Sequence, residues 1–214
     1  MKSSSPDSSE ALMTLVSTLA GQTLGQLAAR ASLSIPARAT AAKGWIGQLL
    51  EYHLGAEAGS KAIPDFPSLG IELKTIPVNA LGNPLETTYV TTVNLDSLPG
   101  QTWLTSPVYQ KLQQVLWVPI EGDPKIPLAA RRIGQAILWT PTSEQARVLQ
   151  QDWQDLVDLI LLGNFETLTS QLGTYLHIRP KAAHGKILQT TEHHAQTLPR
   201  GFYLRTALTR EILK

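Results

Sequence analysis

Asp65, Glu72 and Lys74 follow one another in the stretch PDFPSLGIELKTIPV as D-x6-E-x-K. Two carboxylates and an ammonium at this spacing suit the hydrolysis of a phosphodiester. In an extended strand, residues two apart project to the same side, so Glu72 and Lys74 point together while Ile71 and Leu73 point to a core. Pro67 and Gly70 could turn the chain so that Asp65 returns over the strand. Neighbouring carboxylates repel unless one takes a proton or a cation joins them. Mg²⁺ is such a cation: it prefers oxygen ligands, keeps several waters and needs only one or two carboxylates plus substrate phosphate. A cation so held activates water, and a lysine can stabilise charge on the transferring phosphoryl group. Glu51 could add a third carboxylate and Lys43 could reach the same place. The pattern is loose by itself, and an E-x-K pair on an amphipathic strand also reads as a solvated surface pair.

These residues need a carrier. Leu69, Ile71, Leu73 and Ile76 give the strand its apolar content, and Pro77 is expected to end it. Glu51 and Lys43 fall on or beside a helix predicted from about Ala41 to Leu54, whose stripe is Trp45, Ile46, Leu49, Leu50 and Leu54; Gly47 lies one turn below Glu51. Upstream, Leu12, Leu15, Val16 and Leu19 predict a helix from Ser9. Thr23 caps a second, carrying Leu24, Leu27 and Ala28. Downstream, residues 87–95, VLWVPI, IGQAILW, TYLHIRP and GFYLR read as strands. A short helix is expected around Val108–Gln114, and the longest from Thr142 to Gly163, with Gln145 at the capping-box position. A small amphipathic helix ends the sequence. This order predicts a mixed α/β fold, with residues 1–8 a flexible tail and 9–214 a single domain of two sub-lobes forming a cleft.

Composition narrows the class. With 43% hydrophobic and 16% charged residues over 214 positions, the chain can bury a substantial core. No apolar run is long enough to span a bilayer, no signal-peptide block opens the sequence, and there is no cysteine for disulfides or thiolate metal sites. A cytoplasmic protein with no membrane partner is therefore expected. The net charge of +1 is unevenly spread: residues 175–214 hold seven Lys/Arg against two acids. That suits a local polyanion contact or simply a solvated charged segment. His53, His177, His193 and His194 lack the spacing of a zinc site, and His177 is expected on a strand surface. Trp45, Trp117, Trp139 and Trp153 sit in apolar patterns and are expected in the core. No phosphate-binding G-x-x-x-x-G-K-[ST] and no G-x-S-x-G elbow occurs.

The blocks KGWIGQLLEYHLGAEAGSK, PDFPSLGIELKTIPV, LGNPLETTYV, VLWVPIEG, IPLAARRIG, YLHIRPKAA and LPRGFYL together resemble the MutH family of mismatch-repair endonucleases, in order, from about residue 20 to the end. The resemblance implies a restriction-endonuclease-like fold: a mixed sheet flanked by helices, with two lobes around a DNA-binding cleft. It implies Mg²⁺-dependent nicking of the unmethylated strand, 5′ to the G of hemimethylated GATC sites, with one or two Mg²⁺ ions and Mn²⁺ able to substitute. Activation by MutL, with MutS acting indirectly, double-stranded DNA carrying hemimethylated or unmethylated GATC as substrate, and a monomeric state are further implications. The family's metal ligands fall on Glu51, Asp65, Glu72 and the Leu73 carbonyl, and its catalytic lysine on Lys74. Lys43 and Lys111 match supporting lysines. Arg179, Pro180 and Lys181 match the base-reading loop, and Tyr203 the tyrosine associated with adenine methylation. Tyr89 stands where the family pattern has a phenylalanine, and His184 where it has a smaller polar residue. Two other readings share these residues: a stand-alone GATC restriction endonuclease, and a DNA-binding module without chemistry.

Overall fold

The computed structural model describes residues 3–37, 39–59, 63–164, 167–169, 171–180, 189–190, 196–197 and 199–214. The chain divides into two units. The first comprises Met1–Glu86, Gln113–Thr140 and Ile212–Lys214; the second comprises Thr87–Leu112 and Pro141–Glu211.

Three helices open the first unit: α1 (Ser9–Ser17), α2 (Leu24–Ala31) and α3 (Ala39–Leu54). Each helix start that the sequence signals has its cap. Ser8 Oγ accepts the Ala11 N–H at 3.1 Å. Thr23 and Gln26 form a reciprocal capping box, which satisfies amide donors that the first turn leaves orphaned. The apolar stripes of the helices bury Leu12, Leu24, Leu27, Leu49, Leu50 and Leu54 in one core with Phe66, Ile71 and Leu116. Trp45 is only half-buried and packs against that core.

The sheet of this unit has the order β1–β3–β4, from β1 (Glu72–Val78), β3 (Val115–Glu121) and β4 (Ile137–Trp139). β1 runs parallel to β3 and β4 antiparallel to it. Val115, Leu116, Trp117 and Val118 are all fully buried, as befits a central strand covered on both faces. Pro77 does not end its strand: β1 continues through it to Val78, with Pro77 in register with Ile120. β1 is an edge strand, where a residue without an N–H removes no essential ladder bond, and the Pro77 carbonyl accepts the Leu85 N–H at 2.9 Å.

The second unit holds β2 (Thr88–Thr92), a 3₁₀ turn at Trp103–Thr105, α4 (Pro107–Leu112), α5 (Ser143–Leu161), β5 (Leu176–Pro180), β8 (Arg200–Leu204) and all but the last residue of α6 (Thr206–Ile212), with a two-residue ladder between β6 (Gln189–Thr190) and β7 (Gln196–Thr197). Its main sheet is antiparallel with β8 between β2 and β5. Phe202 and Leu204 of β8, Leu176 and Ile178 of β5, and Val90 of β2 are buried. α5 begins with the expected Thr142–Gln145 capping box and packs on β5. Trp153 on α5 is buried, 5.9 Å from the ring of Trp103. Asp152, also buried, accepts the amides of Thr174 at 2.8 Å, Tyr175 at 2.6 Å and Leu176 at 2.8 Å. This carboxylate fixes the entry to β5. Among the described residues no helix is long and apolar enough to cross a membrane.

Candidate active site

The acids and the lysine of the D-x6-E-x-K stretch lie in the first unit. Phe66 and Ile71 exchange backbone hydrogen bonds at 2.9 and 3.3 Å, closing a tight loop that passes through Gly70 at φ +68°. That positive φ is the conformation glycine adopts without strain. The loop brings Asp65 back beside β1, where its Oδ2 accepts the Leu73 N–H at 2.9 Å. The Asp65 carbonyl accepts the amides of Glu57 at 3.0 Å and Ala58 at 3.4 Å, in the segment that follows α3. Asp65 is thus tied both to the strand and to the exit of the helix that carries Glu51.

On β1 the Glu72 N–H turns the other way and donates to the Gln114 carbonyl at 3.0 Å. Lys74 Nζ donates to Glu72 Oε1 at 2.5 Å. This is not a solvated pair. The Glu72 side chain is 3% exposed and that of Lys74 14%. In register, Glu72 and Lys74 lie beside Val115 and Trp117, both at 0% exposure. Ile76, on the same side of the strand, is also at 0%. Strict alternation of a core face and a wet face fails here because both faces of β1 are covered. An ion pair removed from water loses solvation that mutual attraction recovers only in part, so such a pair is weak as a stabilising device. What it provides is a carboxylate and an ammonium fixed in a poorly screened place.

Glu51 is half-buried on α3, and its Oε1 lies 3.8 Å from where a Cβ on Gly47 would stand. The absent side chain at Gly47 leaves that flank of the carboxylate clear. Lys43 pairs with Glu86, Nζ to Oε1 at 2.6 Å, and is exposed. Glu51, Asp65, Glu72 and the Leu73 carbonyl offer only oxygen donors, a hard set that fits Mg²⁺. Among the described residues no group of three or more acidic or histidine side chains is placed to hold a metal ion, so Glu51, Asp65 and Glu72 are not gathered into one three-carboxylate site. A cation that keeps its waters and takes phosphate oxygens needs only one or two carboxylates.

The other predicted residues belong to the second unit. Arg179 is exposed near the end of β5; its Nη1 donates to Thr87 Oγ1 at 2.9 Å and its Cζ lies 5.6 Å over the ring centroid of Tyr203. Tyr203 stands on β8 in register with Tyr89 on one side and His177 on the other. Its ring makes edge contacts with both, at centroid distances of 5.4 and 6.2 Å. The expectation of a surface histidine at 177 is corrected: His177 is 3% exposed, because this face of the sheet is covered where it stands. Pro180 is exposed at the end of β5, and Lys111 sits in the last turn of α4. Lys181, His184, His193 and His194 lie outside the described residues. His53 Nε2 lies 2.9 Å from the Leu27 carbonyl, a structural role. Trp117, Trp139 and Trp153 are buried as expected.

Residues 54–152 match the family described as DNA mismatch repair enzyme MutH. A DNA mismatch repair protein MutH of Vibrio campbellii is 48% identical, covering 97% of this chain and 94% of that protein. Those of Shigella boydii serotype 18 and Escherichia coli O6:K15:H31 are each 50% identical, over 98% of this chain and 93% of theirs. The chain belongs to the MutH family. Its mixed α/β architecture is therefore that of a MutH protein, and the Glu72–Lys74 pair and the Tyr203 row are features of a MutH chain. Sequence reasoning missed Asp152 and the row formed by Tyr89, Tyr203 and His177. The signal for Asp152 was present: it stands on the apolar stripe of α5 with Leu149, Trp153 and Leu156, where a solvated acid does not belong.

Proposed function

We propose that this MutH chain is a Mg²⁺-dependent DNA endonuclease that nicks the unmethylated strand of hemimethylated GATC sites, 5′ to the G, and is activated by MutL. The observation that carries the chemistry is the buried Glu72–Lys74 contact on β1, with Asp65 tied to the amide between them. Family membership supports the repair role.

On this reading Glu51, Asp65, Glu72 and the Leu73 carbonyl are the oxygens that would hold the ion. Bound Mg²⁺ supplies Lewis-acid stabilisation of phosphate charge and a water of lowered pKa. Lys74 donates a hydrogen bond to the phosphoryl oxygen that gains charge in the transition state, in surroundings that screen it poorly. Glu72 holds that ammonium in position, and the Leu73 N–H keeps Asp65 from swinging away from the strand. Arg179, Pro180 and Lys181 contact the major groove, where a bidentate contact to guanine gives about 1–3 kcal/mol of discrimination. Lys43 and Lys111 support the DNA backbone. Tyr203 packs against the adenine edge, where an N6-methyl group collides with it. On this reading the first unit carries the chemistry and the second the base contacts. The enzyme acts as a cytoplasmic monomer, and any nucleotide dependence comes from MutL and, through it, MutS.

A plasmid with hemimethylated GATC sites, incubated with Mg²⁺ with and without MutL, tests this. Nicked circles cut in the unmethylated strand, more of them with MutL, are expected. Linear product would replace the reading with a stand-alone restriction enzyme, and intact DNA in the presence of both Mg²⁺ and MutL would overturn it in favour of a binder without chemistry.

A further inference from the structure

Tyr203 does not stand alone on its sheet. Gly201 precedes it by two residues on the same face of β8 and is buried. A Cβ built there would lie 3.0 Å from Tyr89 Cε2 and 3.2 Å from Tyr203 Cε2. Both rings therefore lean over the backbone of Gly201. The requirement for glycine here is the absent side chain, since Gly201 has no positive φ. The Tyr89 ring is itself fixed at its tip, with its hydroxyl 2.7 Å from Thr92 Oγ1. A register shift between Tyr89 and Thr91 allows this, placing Thr92 opposite Gly201 while Tyr89 stays opposite Tyr203. The edge of Tyr89 then meets Tyr203 at 5.4 Å with the planes at 67°, the T-shaped arrangement that aromatic quadrupoles favour. Arg179 closes over the Tyr203 ring.

We propose that Tyr89 and Gly201 are positioning residues for methyl discrimination: the glycine floor and the Thr92-tethered Tyr89 ring set the tilt and height of the Tyr203 ring. This rests on the reading that Tyr203 senses the adenine edge. An aromatic ring rejects a methyl group sterically only when it is held still, because a ring that tilts away by an ångström accommodates the extra carbon. Tyr203 could turn about χ1 and χ2 were its flank open. Tyr89 closes that flank, and a larger residue than glycine at 201 would lift both rings.

The test measures the ratio of nicking rates at unmethylated and methylated strands of otherwise identical GATC duplexes for the full chain with Mg²⁺ and MutL. Tyr89→Leu and Gly201→Ala are expected to lower that ratio by roughly three- to tenfold, the size of one lost aromatic pair. Tyr89→Phe keeps the ring but cuts its tether to Thr92, and is expected to lower the ratio by less than Tyr89→Leu does, a graded effect that a general loss of folding would not give. In the Tyr203→Ser background, Tyr89→Leu should lower the ratio no further. A Tyr89→Leu enzyme with the parent ratio, beside a Tyr203→Ser enzyme that has lost it, overturns the positioning role and leaves the Tyr203 reading intact. A Tyr203→Ser enzyme with the parent ratio overturns that reading itself. Additive losses in the double variant also overturn the proposal, since Tyr89 would then be reading the DNA on its own. Should Gly201→Ala not fold, the Tyr89 series decides.

Discussion

Lys74 Nζ sits 2.5 Å from Glu72 Oε1 on a strand where the carboxylate is almost wholly removed from solvent. Removing one partner from such a pair costs more than removing both, because the survivor is left charged and unsolvated. Lys74→Met is therefore expected to lower the unfolding free energy by about 3–5 kcal/mol. Lys74→Met combined with Glu72→Gln should recover much of that loss while remaining inactive. Urea midpoints of the four proteins form the cycle; a Lys74→Met protein as stable as the parent would show that the lysine does not compensate the acid.

Asp65 has two separable duties, accepting the Leu73 N–H and carrying charge. Asp65→Asn keeps an acceptor oxygen for that amide and removes the charge. It is expected to fold with a nearly unchanged melting temperature and to lose about a hundredfold or more in nicking rate, the scale for removing one electrostatic contribution at a reacting phosphoryl group. Asp65→Ala should lose the same activity and also about 1–2 kcal/mol of stability. Calorimetry alongside single-turnover nicking separates the two; an active Asp65→Asn enzyme would remove Asp65 from the chemistry.

Asp152 gathers three successive amides at the start of β5. Asp152→Ala leaves those donors without their acceptor and should cost about 3–5 kcal/mol, read as a fall in thermal midpoint. Asp152→Asn is expected to recover only part of this, since a neutral amide offers one acceptor oxygen where the carboxylate offers two. Equal midpoints for all three proteins would contradict the anchoring role.

Tyr175 donates its hydroxyl to both carboxylate oxygens of Glu211, at 3.1 and 3.0 Å. Burial, then the hydrogen bond to Glu211 and the negative charge of that carboxylate, push its phenol above the usual value near 10. Because the folded pKa lies above the unfolded one, the stabilisation is fully present below about pH 10 and is lost as pH rises through the folded value. Absorbance titration at the phenolate band should show a late step above the usual tyrosine range, and Tyr175→Phe should delete that late step. A Tyr175→Phe protein with an unchanged titration curve would assign the late step elsewhere.

Much of this was legible in the residues, and the illegible parts share a cause. Thr23, and Thr142 with Gln145, announced helix starts because capping is local chemistry within four residues. The common side of Glu72 and Lys74 followed from strand geometry alone. Their burial did not, because it depends on what β3 and the rest of the unit lay over that side. Pro77 read as a terminator because edge position is a property of sheet order, which local sequence does not carry. His177 read as exposed for a similar reason: its surroundings are cross-strand neighbours set by register with β8. The association of Arg179, Tyr203, Tyr89 and Gly201 joins residues distant in sequence, with Tyr89 far upstream of the other three, and emerges only once β2, β5 and β8 are paired.

Glu51, Asp65, Glu72 and Lys74 come from one unit of this chain, while Arg179, Tyr203, Tyr89 and Gly201 come from the other. Under the proposed function, that division lets selection retune which sequence is recognised without touching the hydrolytic apparatus, so that descendants of one ancestral nuclease diverge in target while keeping an inherited cutting engine.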